Sequence, residues 1–123
     1  QSSDDSIYKL QQYKDVKILK ITGEYNAAIG RNIGYIESNG EYLFFIDGDM
    51  ELLPDFYSSI FDEYHALKYD FVSGDILNYL YDSNGKYLGK AYYFKTKLTN
   101  DSLTSKVGGL FCIKRDLWRW SEV

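Results

Sequence analysis

Tyr42-Leu43-Phe44-Phe45-Ile46-Asp47-Gly48-Asp49 is the stretch that decides how this chain is read. Five aromatic or aliphatic residues run without interruption into two aspartates separated by one glycine. An unbroken apolar run of this length fits a strand covered on both faces, as in a parallel sheet packed between helices. The chain leaves that strand at Asp47, and in open α/β sheets ligands bind outside the carboxyl ends of the strands. Asp47 and Asp49 would form a small negative pocket there. Divalent cations that hold phosphates prefer such hard oxygen donors. Gly48 has no side chain to crowd whatever sits between them.

Composition sets the frame around this stretch. A chain of 123 residues is enough for one small domain with a single core. Hydrophobic residues at 45% and aromatics at 18% argue against disorder. The 13 tyrosines could pack a core, line a carbohydrate-type pocket or form a contact between copies, and composition does not choose among these. The net charge of -4, with no dominant basic patch, argues against nucleic acid as the main partner. An anionic substrate would then need a metal or a local cluster of donors. The single cysteine, Cys112, excludes an internal disulfide and fits a reducing compartment; its apolar neighbours predict a buried, unreactive thiol. No apolar stretch approaches ~18 residues, so no membrane-spanning helix is expected, and no signal peptide is visible. The opening Gln1-Ser2-Ser3-Asp4-Asp5 reads as a loop entered in mid-domain, as in an excised piece.

Upstream of the central strand, residues 4–14 read as a helix, with Asp4, Asp5 and Ser6 supplying capping and first-turn chemistry. Val16 to Ile21 reads as a strand. Residues 26–38 read as a second helix, with Ile29, Ile33 and Ile36 on its apolar face and Asn39-Gly40 at its end. The order helix, strand, helix, strand predicts a parallel α/β unit in which 16–21 and 42–46 are neighbours. Downstream, Pro54 opens a helix expected to reach Tyr69 and to bury Phe56, Ile60, Tyr64 and Leu67. His65 lies beside that face and reads as a surface or half-buried residue. Residues 70–81 read as a strand, Asn84-Gly85 as a hairpin turn, and Tyr87 to Phe94 as the returning strand. Residues 96–106 read as a polar loop, Val107 to Ile113 as a further strand, and Lys114 to Trp120 as the start of a helix.

Asp-x-Asp after a strand is weak evidence taken alone, because acidic residues often serve loops and helix caps. An EF-hand fails on Leu52, which stands where that loop needs glycine. The longer pattern carries more. Gly30-Arg31-Asn32-Ile33-Gly34 is followed by Gly40-Glu41-Tyr42, then by Asp47-Gly48-Asp49, then by Leu53-Pro54-Asp55-Phe56. Ser3-Asp4-Asp5-Ser6 lies before it and Gly108-Gly109-Leu110-Phe111 with Lys114-Arg115 after it. Together these resemble the family 2 glycosyltransferases, which have the GT-A fold. The likeness covers most of the chain apart from residues 75–95.

The resemblance implies a partial GT-A, Rossmann-like nucleotide-binding domain over 1–123, a fragment of a single domain with a mixed, mostly parallel sheet flanked by helices. It implies a nucleotide-sugar donor, UDP-sugar foremost, and metal-dependent inverting transfer to a saccharide or other hydroxyl acceptor in cell-surface polysaccharide synthesis. Asp49 and Asp47 would hold Mn2+ or Mg2+. Asp47 would also approach the ribose, and Asp5 would match the last aspartate of the family's nucleotide loop. Arg31 would support the nucleotide side, with a salt bridge to an acidic neighbour as its plainer role. Gly109 would allow close approach to the sugar, with a strand bulge as its plainer role. The family's first strand, its base-reading aspartate and its general base are expected outside Gln1–Val123, so the piece alone is expected to be inactive and to self-associate as a homo-oligomer. The parent enzyme would be cytoplasmic and peripheral at the inner face of the membrane. Two other readings stay open. One is a haloacid-dehalogenase-like phosphatase, which lacks its expected hydroxyl because Glu51 stands in that place. The other is a non-enzymatic carbohydrate-binding or assembly module.

Overall fold

The computed structural model describes residues 4–94 and 109–118, without the side chains of 93 and 94. In chain order its elements are α1 (Ser6–Leu10), α2 (Ala27–Glu37), β1 (Tyr42–Ile46), α3 (Phe56–Ile60), β2 (Phe71–Ser73), β3 (Ile76–Tyr81), β4 (Tyr87–Phe94), β5 (Leu110–Lys114) and a 3-10 turn at Arg115–Leu117. They fall into two compact units, residues 1–37 and 38–123.

In the second unit the apolar run is β1. It pairs antiparallel with β5, Phe44 opposite Cys112, and the other edge of β5 takes β2, Val72 opposite Cys112. Pairing sets side chains in register across a face. Phe44, Cys112 and Val72 therefore lie in one row, over which Phe56, Ile60, Phe61 and Leu67 pack. Cys112 is fully buried. On the opposite face Phe111 packs against Phe45 at 4.9 Å and Phe71 at 5.3 Å between ring centroids, and Trp118 covers Phe45 at 4.8 Å. Side chains pack on both faces, but the covering is partial: of β1 only Leu43 is buried, and Ile46 is exposed.

The sheet is not mostly parallel. Every described ladder is antiparallel; β1 and β2 run in the same direction only because β5 lies between them. Val16 to Ile21 forms no strand and is exposed apart from Ile21. A strand is stabilised by its ladder, and no described segment pairs with these residues.

The helix expected from Pro54 to Tyr69 is only α3. Asp55, in the left-handed backbone region at φ 72°, precedes it, and Phe61 is extended. The Asp62 carboxylate accepts the amide N–H groups of Tyr64 and Ala66, each at 2.9 Å, which turns the chain back so that Phe61 bridges Leu67. A short acidic side chain has outcompeted the helical backbone bonds. Ile60 and Leu67 are buried and Phe56 is half-buried, but Tyr64, expected in the core, is 81% exposed.

The strand read through 70–81 breaks at Gly74-Asp75. Its first part joins β5 as β2; its second part, β3, forms a separate two-stranded sheet with β4. The hairpin turn is as expected: the Asp82 carboxylate accepts from the N–H groups of Asn84 and Lys86, and Gly85 supplies φ 78°. The late strand begins at Leu110 and is followed by the 3-10 turn in place of a helix; 96–106 and 107–108 lie outside the described residues.

In the first unit, α1 is shorter than the expected 4–14. Asp4 Oδ1 accepts the Ser6 N–H at 3.1 Å, and hydrogen bonding from the Ser6 side chain, then from this N–H, holds the Asp4 carboxyl below its ordinary value. In α2 the Asn26 side chain accepts the Ile29 N–H at 2.9 Å, an N-terminal cap.

Two substitutions test this core. Ile60→Ala should lower unfolding stability by about 2–5 kcal/mol, whereas Tyr64→Ala should change it by no more than about 0.5 kcal/mol. Urea denaturation followed by circular dichroism measures both. Similar losses would contradict the turn at Asp62.

Candidate functional site

The β1–β5 ladder continues one step past the strands. The Asp47 N–H donates to the Gly109 carbonyl at 2.9 Å, and the Met50 N–H donates to the Asp47 carbonyl at 3.0 Å. The second bond closes a turn over Gly48-Asp49, so the chain doubles back as soon as the apolar strand ends. Asp47 and Asp49 are both exposed on this turn.

Gly109 is held against Asp47 by more than the backbone. A Cβ at position 109 would lie 2.1 Å from Asp47 Oδ2 and 2.5 Å from its Cγ. The carboxylate therefore occupies the space that any other residue's side chain would need. The sequence singled out both residues; the structure places the Asp47 carboxylate where a side chain at position 109 would stand.

Asp49 opens onto a cleft of about 900 Å³. One side of the cleft is the segment from Met50 to Phe56; the other includes Asp75 and the hairpin residues Leu77, Tyr79, Tyr81 and Tyr92. The sequence reading did not place this second wall beside the aspartates. The signal was present: alternation along 77–81 sets Leu77, Tyr79 and Tyr81 on one face, and the Asn84-Gly85 turn folds β4 back beside them.

Among the described residues no three His, Cys, Asp or Glu side chains form a metal-sized group. Asp47 and Asp49 stand on one turn, and of the two Asp49 lines the cleft. Carboxylates are the donor type that Mg2+ and Mn2+ take, commonly one or two from protein with substrate phosphate and water completing the shell. Asp5 and Arg31 belong to the first unit. Asp5 stands before α1 and makes an exposed ion pair with Lys9 at 3.1 Å; Arg31 is half-buried within α2. Gly108 lies outside the described residues.

Comparison with known proteins gives one finding. The profile of glycosyl transferase family 2 matches residues 1–118. No curated protein and no solved structure matches the chain. The matched span takes in the first unit and most of the second, with the Asp47–Asp49 turn and Gly109. The chain belongs to glycosyl transferase family 2, and its activity is that of a glycosyltransferase.

Proposed function

We propose that the Asp47–Asp49 turn is the donor-binding centre of a metal-dependent, inverting glycosyltransferase that uses a UDP-sugar. The observation that carries this reading is the pair of exposed carboxylates at the carboxyl end of β1, with Asp47 braced by Gly109 and Asp49 opening on the cleft. Asp49 and Asp47 would hold Mn2+ or Mg2+ against the donor diphosphate. When bound, the cation supplies a Lewis acid that offsets the charge gathering on the departing nucleoside diphosphate.

The remaining work falls to the chain itself. The turn closed by the Met50 N–H presents the carboxylates before substrate arrives, so less ordering is needed on binding. The missing side chain at Gly109 leaves room for the Asp47 carboxylate in the position it takes. In inverting transfer an acceptor hydroxyl attacks the anomeric carbon from the face opposite the diphosphate. The new C–O bond forms as the old one breaks, and the hydroxyl proton passes to a general base. The acceptor in this reading is a saccharide or another hydroxyl compound, and the setting is cell-surface polysaccharide synthesis at the cytoplasmic face of a membrane. Asp5 and Arg31 are assigned to the nucleotide side. The reading includes a homo-oligomer, supported by apolar side chains left exposed on this chain, Tyr8, Tyr25 and Tyr64 among them.

In the intact enzyme, Asp49→Ala should abolish sugar transfer and weaken Mn2+-dependent UDP binding by at least about tenfold, measured by calorimetry. Normal activity and affinity in that variant would overturn the assignment. Chelation of divalent cations should stop transfer and added Mn2+ should restore it; transfer that persists in chelator would remove the metal from the reading. Gly109→Ala should raise the donor KM while leaving the circular dichroism spectrum unchanged, because the added methyl must displace the Asp47 carboxylate. An unchanged donor KM would show that the orientation of Asp47 is immaterial.

A further inference from the structure

Four tyrosines of the β3–β4 hairpin, Tyr79, Tyr81, Tyr87 and Tyr92, lie on one face. Across the ladder Leu77 is paired with Tyr92, Tyr79 with Lys90 and Tyr81 with Tyr87. The Tyr87 ring lies 6.3 Å from that of Tyr79 and 5.6 Å from that of Tyr81. The four tyrosines are 47–59% exposed. Single exposed aromatics need no explanation, but four on one face of a two-stranded ribbon form a patch that calls for a ligand.

That face looks into the cleft already described. Tyr79, Tyr81 and Tyr92 line the same 900 Å³ space as Asp49. The volume is near the upper end for a small-molecule site, so it has room for a second substrate beside a diphosphate. Transfer requires the acceptor hydroxyl to reach the anomeric carbon next to that diphosphate. The wall across from the aspartate turn is the available approach.

We propose that the tyrosine face of the hairpin is the acceptor wall, and that it takes a saccharide chain by stacking sugar rings on Tyr79, Tyr81 and Tyr92. This rests on the donor-site reading above. A pyranose has an apolar C–H face that lies flat on an aromatic ring, while its hydroxyls hydrogen-bond to the phenol oxygens. Tyrosine offers both at a small cost in side-chain entropy, having only two side-chain torsions. The face is also wrong for a lipid chain: Lys90 stands in register with Tyr79, and the phenol hydroxyls would meet hydrocarbon.

The test titrates maltotriose, cellotriose and triacetylchitotriose into the intact enzyme, read by saturation-transfer NMR. UDP with Mn2+ is titrated into the same samples by calorimetry. At least one trisaccharide should bind saturably in the millimolar range. Tyr79→Ala and Tyr92→Ala should each weaken that binding by about tenfold, and Tyr79→Trp should restore it. UDP affinity should stay unchanged in all three variants, which also reports that they fold. Failure of every trisaccharide to bind, or binding indifferent to both alanine variants, would overturn the acceptor wall. Loss of vesicle binding in the alanine variants, with palmitoyl-oleoyl phosphatidylglycerol as probe and no trisaccharide effect, would overturn it in favour of a lipid surface. Tyrosine-dependent saccharide binding without UDP binding would support the stacking face and remove the donor reading. UDP binding without saccharide binding would do the reverse.

Discussion

The hydrogen bond from the Asp47 amide to the Gly109 carbonyl, 2.9 Å long, ties the site of this protein to its sheet. It is the last rung of the β1–β5 ladder, and it fixes where the apolar strand stops and the acidic turn begins. The other end of β1 is pinned as firmly. The Arg115 N–H donates to the Glu41 carbonyl at 2.9 Å, and its guanidinium reaches the Gly40 carbonyl and Ser38 Oγ. Between these ends Cys112 is fully enclosed, and burial pushes its thiol pKa up. A strand held at both ends and packed against neighbouring rings gives the exposed aspartates a firm base, which the proposed metal-diphosphate site would require.

Membership of the family implies an α/β GT-A fold. Within it, the antiparallel direction of β5 has a consequence for the site. An antiparallel neighbour begins where β1 ends, so Gly109, just before β5, arrives beside Asp47, just after β1. A parallel neighbour would have ended there and offered a different residue. The feature that departs from the expected mostly parallel sheet is therefore the one that brings Gly109 beside the Asp47 carboxylate.

The parts of the fold that were legible in the sequence are those set by local chemistry. β1 was visible because an unbroken apolar run is hard to place except between two covered faces. The Asn84-Gly85 turn was visible because few residues accept its backbone. α2 was visible from the spacing of its isoleucines. Strand direction was not legible, since it depends on which distant segment pairs with which. The end of α3 was missed because helical spacing of Phe56, Ile60, Tyr64 and Leu67 hid the Asp62 carboxylate, whose bonds to Tyr64 and Ala66 turn the chain. Val16 to Ile21 looked like a strand from its alternation, but alternation provides no partner. In the candidate site, Asp47, Asp49 and Gly109 were legible as motif residues, whereas the hairpin side of the cleft was not, because residues 75–95 carry none of the short motifs that pointed to the family.

The role proposed for the turn at the end of β1 is to carry a divalent cation and the donor diphosphate. Paramagnetic broadening by Mn2+ in the amide NMR spectrum, with UDP present, tests it most directly, because the effect falls off steeply with distance from the ion. The amides of Asp47, Gly48, Asp49 and Gly109 should broaden first, with UDP making the effect stronger and more local. Broadening centred elsewhere, with these four amides left sharp, would contradict it.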